Sequence, residues 1–333
     1  MAVGLGEEAP VARAPDPQQA EQAPVRARRA GRAGGPDAWG SAHAFSDVWW
    51  RRAAVWGLKR VPDGLLGVAV PPFATLVWAG VPALRAAVAS NLARVMGPAG
   101  PLDTQLRVHR VFQNFADSFA TAYLLYAAGR ARPRPVVHQG EPHVREALRL
   151  GRGAIVGTAH LGNWQIGSQA LERWGLPVNV VMAEEPDPRV QAMIEGMRDR
   201  KLNVIYSSGS VFSSLAARSA LQRGEIVAMQ VDRLMGSGSM EVEFFGAKAR
   251  FPTGPAILAR TTGAPLVPAF AVRRADGAHV FAAEAPIVVR STRDREADVR
   301  DALERTVAAL ETWIRRYPLQ WFNFFPYWGQ APR

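Results

Sequence analysis

Residues 158–167 read TAHLGNWQIG, which sets His160 after a strand-like run and just before a Gly-Asn-Trp step. A neutral imidazole can take a proton from a hydroxyl near pH 7, the ordinary task of a general base with no metal beside it. Asp232 and Arg233 follow the apolar run EIVAMQV (225–231) in the same way. In open α/β sheets ligands bind beyond the carboxyl ends of the strands, so His160 and Asp232 at two strand ends would make an acid–base pair. Taken alone, His160 is equally compatible with an ordinary loop histidine.

Five residues within one helix amount to about 500° of rotation, which would point His160 and Gln165 roughly 140° apart. The two can meet only if His160 stands in a loop and the helix begins after it. Asn163 is a good N-cap, which places Gln165 in the first turn. The same arrangement predicts open N–H groups at Gly162 and Asn163, suited to an anion or a developing oxyanion.

The elements that must hold these residues alternate along the chain. Helical spacing is clear over 104–130, followed by a strand at 154–159 and a helix over about 163–174. A strand at 178–183, a helix over 188–201, a strand at NVIY, a helix at 211–223 and a strand at 225–231 come next. MEVEFF and PLVPAFAVRR read as strands separated by a helix at 253–262, and a strand at 278–290 and a helix at 294–316 complete the pattern. Such alternation predicts an α/β fold with a largely parallel sheet, mixed at one edge and flanked by helices.

The N-terminal part is different. Residues 1–38 contain no aromatic and read as a disordered tail without the apolar core of a signal peptide. Residues 39–100 read as interfacial, membrane-associated helices, and 101–333 as a single α/β domain. Leu65–Leu84 is 20 residues without a charge, but Pro71, Pro72 and Pro82 interrupt it. This predicts a broken helix lying at a membrane interface, flanked by Trp49, Trp50, Trp56, Arg51, Arg52, Lys59 and Arg60. A buried helical hairpin is the other reading. The C-terminal YPLQWFNFFPYW (317–328) holds seven aromatics in twelve residues, either a clamp closing the core or a surface for membrane or acyl chains.

Composition narrows the classes. The net charge is +11 and the pI about 10.9, which favours anionic partners such as phospholipid headgroups or an acidic carrier protein. Nucleic acid is not expected, because no helix carries a one-sided basic stripe. The chain has no cysteine, which excludes disulfides, a thiol nucleophile and thiolate metal sites, and no metal is expected. YSSGSVF lacks the glycine spacing of a G-x-S-x-G elbow, which disfavours a serine thioesterase.

The decapeptide resembles the H-x4-[D/E] motif of the lipid A biosynthesis (lauroyl/myristoyl) acyltransferases, in the lysophospholipid acyltransferase-like superfamily, whose usual form is close to GHxGNWE. The segment MQVDRLMGSGSMEVEFFGAKARFPTGPAILARTTGAPLVPAFAVRR (229–274) is similar to the family's second half, and SNLARVMG and FQNFADSF to its N-terminal helices. The resemblance covers roughly residues 50–330 and rests on the ordered combination of motifs. It implies a single glycerolipid-acyltransferase-like domain at the cytoplasmic face of the bacterial inner membrane. The implied reaction moves a fatty acyl group from acyl carrier protein or coenzyme A to a lipid or glycolipid, with no cofactor beyond that co-substrate. His160 matches the catalytic histidine, and Asp232 the position where some relatives keep a supporting acid. Arg233, Lys248, Arg250 and Thr253 fall in the region that holds anionic parts of the substrates, with Gly162 and Asn163 beside the histidine.

Gln165 departs from the pattern, since an amide can hold the imidazole by a hydrogen bond but adds no charge. Either Asp232 or Glu184/Glu185 supplies the carboxylate, or the chain is an impaired or inactive homologue that binds lipid or acyl carrier.

Overall fold

The computed structural model describes residues 56–62, 65–122, 124, 135–184, 188–196, 201–207, 211–234 and 238–328. The sequence-predicted tail 1–38, Trp49, Trp50, Arg51, Arg52 and Glu185 lie outside the described residues.

Seven strands form one sheet in the order β1-β9-β8-β2-β5-β3-β4. They are β1 Val136–Gln139, β2 Ala154–Thr158, β3 Val178–Ala183, β4 Asn203–Ser207, β5 Ile226–Gln230, β8 Leu266–Arg273 and β9 His279–Ala283. From β8 through β4 the neighbours run parallel; β9 is antiparallel to β8, and β1 is parallel to β9. The expected largely parallel sheet, mixed at one edge, is therefore present. Strands AIVGT (β2) and LVPAFAVR (β8) are buried almost throughout, as apolar runs covered on both faces should be.

Helices cover the sheet: α4 Glu141–Arg149, α5 Trp164–Glu172, α6 Pro188–Glu195, α7 Val211–Gln222, α8 Gly254–Thr262 and α9 Arg295–Arg316. A separate hairpin, β6 Ser239–Phe244 and β7 Ala247–Pro252, packs its apolar face into the same core as α9.

Three differences from the sequence reading have local causes. β1 and α4 were not anticipated, because VVHQ is short and lies among prolines. β7 pairs with β6 as a hairpin although AKARFP alternates small and charged residues; its alternate side chains are buried and exposed. The strand expected over 278–290 ends at Ala283, where Glu284 turns to accept Trp313 Nε1 (2.6 Å) and Pro286 offers no N–H.

The N-terminal helices are α1 Leu66–Gly80, α2 Pro82–Met96 and α3 Pro101–Ala122. Of the three prolines only Pro82 marks a break: α1 runs through Pro71 and Pro72, and the chain bends by 97° between α1 and α2, beside Pro82. Thr75 Oγ1 donates back to Pro71 O within α1 (3.0 Å), and Gln113 Nε2 donates to the same carbonyl from α3 (2.9 Å), tying the two helices together. No single described helix is long and apolar enough to cross a membrane. Helices α2 and α3 pack with Phe322 and Phe324 of the C-terminal segment in one apolar cluster.

Candidate active site

The parallel pairing of β2 with β5 sets Thr158 opposite Gln230, and two residues further on both chains leave the sheet at its carboxyl edge. There His160 Nδ1 lies 2.7 Å from Asp232 Oδ1, and the His160 backbone N–H donates to Asp232 Oδ2 at 3.0 Å. A carboxylate only accepts, so Nδ1 carries the proton and Nε2 keeps its lone pair. The Asp232 side chain is fully buried, while the His160 side chain keeps 22% of its surface. Reactants thus have access to the imidazole and not to the acid.

Asp232 is held on every side. Trp321 Nε1 (3.1 Å) and Asn323 Nδ2 (3.2 Å) donate to its Oδ2, and Tyr327 OH donates to its backbone carbonyl (2.8 Å). Burial alone would push its carboxyl up; attraction to His160, the hydrogen bonds from it and the Arg233 charge outweigh this and hold it well below the usual carboxylate range. His160 moves down from its ordinary value, first through burial and then through Arg233, against the opposing pull of Asp232. At neutral pH the pair is a neutral imidazole on an ionised carboxylate.

The loop after His160 is locked by its own sequence. Gly162 has φ +71°, and a Cβ there would sit 1.9 Å from Ala271 O, so glycine is required for this close approach to β8. Asn163 caps α5, its Oδ1 accepting from Gln165 N (3.1 Å) and Ile166 N (3.2 Å), while its Nδ2 donates to Ser118 O on α3 (3.2 Å). Gln165 does sit in the first helical turn. The open N–H groups expected here are not found: Gly162 N–H donates to Gln320 O (2.9 Å) and Asn163 N–H to Ala271 O (2.8 Å).

The other site residues read from the sequence divide in two. Arg233 is beside the pair but turned inward, donating to Asn323 Oδ1 (2.7 Å) and Phe322 O (2.6 Å) over the face of Phe325. Lys248 and Arg250 stand on the exposed face of the hairpin, where Lys248 pairs with Glu241 (3.1 Å) and Arg250 donates to Ser239 (2.9 Å). Thr253 occupies the cap position of α8 without a side-chain capping bond, and its N–H donates to Gly238 O (3.2 Å). Glu184 is exposed at the end of β3, with β5 between that strand and β2, so it is not the partner of His160.

Trp321, Asn323 and Tyr327 were missed by the sequence reading. The signal was a single polar residue, Asn323, inside an otherwise aromatic run. The segment is a clamp: Trp321, Phe322, Phe324 and Tyr327 are buried, and Phe322 N–H donates to His160 O (2.8 Å).

An apolar cavity of about 210 Å³ lies between α1 and α3, lined by Val61, Phe73, Val77, Phe112, Ala116 and Phe119 among others. Two steps connect it to His160. Phe115, also in its wall, packs edge-on against Phe322 (5.4 Å), whose N–H binds the His160 carbonyl. Ser118, between Ala116 and Phe119, accepts from Asn163.

Comparison with known sequences finds a family and relatives. The model of the bacterial lipid A biosynthesis acyltransferase family matches residues 42–330. A phosphatidylinositol mannoside acyltransferase of Mycolicibacterium smegmatis is 28% identical over 247 residues, 72% of this chain and 77% of that protein. A protein of the same name from Mycobacterium tuberculosis H37Rv is 33% identical over 142 residues, 41% of this chain and 44% of its own length.

Proposed function

The chain belongs to the bacterial lipid A biosynthesis acyltransferase family, an acyltransferase family acting on lipid or glycolipid acceptors, and from that premise we propose that His160 is its general base and a fatty acyl thioester its donor. The observation that carries the reading is the 2.7 Å contact between His160 Nδ1 and the buried Asp232 carboxylate. Nε2 takes the proton of an acceptor hydroxyl as its oxygen attacks the thioester carbonyl. The tetrahedral intermediate collapses, the C–S bond breaks, and the leaving thiolate recovers the proton from the imidazolium. Asp232 orients the ring and stabilises the imidazolium, the part that Gln165 in the motif position would play only as an uncharged amide.

The apolar cavity between α1 and α3 is suited to the acyl chain, since its wall carries no charged side chain and its Phe115 side leads to the His160 carbonyl. The same α1 carries exposed Val68 and Leu76, with exposed Leu65 at its N-cap, and the preceding segment carries exposed Trp56 and the cations Lys59 and Arg60. That combination supports attachment to an anionic membrane surface, in keeping with an inner-membrane enzyme working from the cytoplasmic face. The names of the relatives point to a mannosylated phosphatidylinositol as acceptor, and the basic surface suits an acidic carrier or coenzyme A on the donor side.

The test is acyl transfer by purified protein from labelled acyl-coenzyme A or acyl carrier protein, with mannosylated phosphatidylinositol and a lipid A precursor as alternative acceptors. Transfer lost in His160→Ala supports the base assignment; equal transfer by both proteins would sink it.

A further inference from the structure

Asp232 and Arg233 are adjacent residues of opposite charge, both turned to the inside, yet the guanidinium does not spend its nearest donors on the carboxylate. Arg233 Nε goes to Asn323 Oδ1 (2.7 Å) and Nη2 to Phe322 O (2.6 Å). The same Asn323 side chain donates its Nδ2 to Asp232 Oδ2 (3.2 Å). One amide therefore stands between acid and base, accepting from the cation and donating to the anion. A primary amide has both capacities in one short, uncharged side chain. An Arg–carboxylate pair, left to itself, prefers a two-point contact that engages both oxygens. That contact would compete with His160 Nδ1–H for Oδ1.

We propose that Asn323 is a positioning residue, a neutral spacer that keeps Arg233 from closing on Asp232 and so reserves Asp232 Oδ1 for His160. Its own place is fixed from outside the sheet: Asn91 of α2 donates Nδ2 to Asn323 O (3.1 Å) and to Phe325 O (2.8 Å), and accepts from Tyr327 N (2.9 Å). Asn323 is 1% exposed, so water cannot take over either bond. The charged groups that act on the imidazole are Asp232 and Arg233, just beyond β5, and Tyr327 OH donates to the Asp232 carbonyl behind them.

The inference rests on the reading of His160 as the base, and it is tested by a cycle in Asn323 and Arg233. Asn323→Ala opens the gap, and kcat/KM for acyl transfer is expected to fall about 10- to 100-fold, the range for lost outer-layer support of a catalytic group. With Arg233 closed on Asp232, the carboxylate holds the imidazolium less well, so the acidic limb of the kcat/KM profile moves to lower pH. In an Arg233→Gln background no cation is present to close. There Asn323→Ala should cost less than about threefold and leave the limb where Arg233→Gln alone put it, the non-additivity of a coupled pair. The same fold loss in both backgrounds, with the limb unmoved, overturns the spacer role and leaves Asn323 as packing only. If Asn323→Ala does not fold, Asn323→Ser decides by the same two readings. His160→Ala is assayed beside them: activity retained in that variant removes the base assignment itself, whatever the Asn323 cycle gives.

Discussion

His160 and Asp232 stand 72 residues apart, the same offset that pairs each residue of β2 with its partner in β5. The contact between them is thus the sheet register carried two residues past its edge. It depends on the most buried part of the fold, not on a flexible loop meeting another. Because the register brings a carboxylate to the ring from a neighbouring strand, the amide at Gln165 does not leave the imidazole without charge support.

That relationship gives a sharp contrast between two substitutions. Asp232→Asn keeps the shape but removes the charge and the obligatory acceptor, and it should lower kcat about 10⁴-fold, as loss of the carboxylate does in a serine-protease triad. Gln165→Glu restores the motif carboxylate and should change kcat less than about threefold, because Asp232 already occupies Nδ1. Initial rates of acyl transfer, read beside melting curves, check both. A large gain from Gln165→Glu would mean that Asp232 does not supply the charge.

The pH dependence follows from the directions of the two shifts. His160 is lowered by burial and by Arg233, and it acts as a base only when neutral, so the acidic limb of kcat/KM should lie below the ordinary imidazole range. For stability, the unfolded chain protonates this histidine first, so stability falls as pH drops from the ordinary imidazole value toward the folded one. Asp232 is shifted down in the fold; its contribution is present above the ordinary carboxylate range and is lost only as pH falls through its lower folded value. Melting temperature against pH should therefore fall in two stages, and His160→Gln should shrink the first, leaving the part contributed by His138, which burial also shifts down. A single stage in the wild-type protein would contradict the buried neutral histidine.

Gly162→Ala should be disproportionately harmful for one methyl group. The new Cβ must avoid Ala271 O at 1.9 Å and accept a left-handed φ of +71°. Strain of this kind costs about 1–3 kcal/mol before any displacement of β8, and relief by moving the loop carries His160 with it. Both the melting temperature and kcat should drop. An active protein of unchanged stability would show that the loop relaxes without cost.

Much of this was legible in the sequence because it is local or periodic. Asn163 as N-cap and Gln165 in the first turn follow from helix geometry, and His160 and Asp232 as a pair at two strand ends from the apolar runs before them. The hairpin strand β7 was not legible, since AKARFP carries two cations and its burial is set by packing against α9. Nor were the used N–H groups of Gly162 and Asn163, because their acceptors, Gln320 O and Ala271 O, come from segments more than a hundred residues away. The inward turn of Arg233 has the same origin: a basic residue beside a site looks like a substrate contact until the long-range partner Asn323 is seen.

Membrane attachment should depend on the outer face of α1. Val68 and Leu76 are 73% and 72% exposed, eight residues apart and so on one side of the helix, with Trp56, Lys59 and Arg60 nearby. Val68→Asp with Leu76→Asp should weaken binding to vesicles containing anionic phospholipid at least tenfold, since each places a charge where apolar contact is expected. Co-sedimentation at two salt concentrations separates the apolar part from the electrostatic one, which alone is screened. Unchanged binding by the double variant would move the attachment surface away from α1.

The cavity between α1 and α3 makes a prediction about chain length. Ala116 lies in its wall one turn from Phe112 and Phe119, and a larger side chain there shortens the space without touching His160 or Asp232. Ala116→Phe should cut transfer from long-chain thioesters about 10-fold or more while leaving short-chain donors within about twofold, because each methylene excluded from an apolar site forfeits about 0.8 kcal/mol. Overpacking has its own cost of about 1–3 kcal/mol in stability, so a melting curve must accompany the assay. A uniform loss across chain lengths would assign the effect to that strain. A shift of the optimum toward shorter chains, at unchanged pH profile, would identify the cavity as the place where the acyl chain is measured.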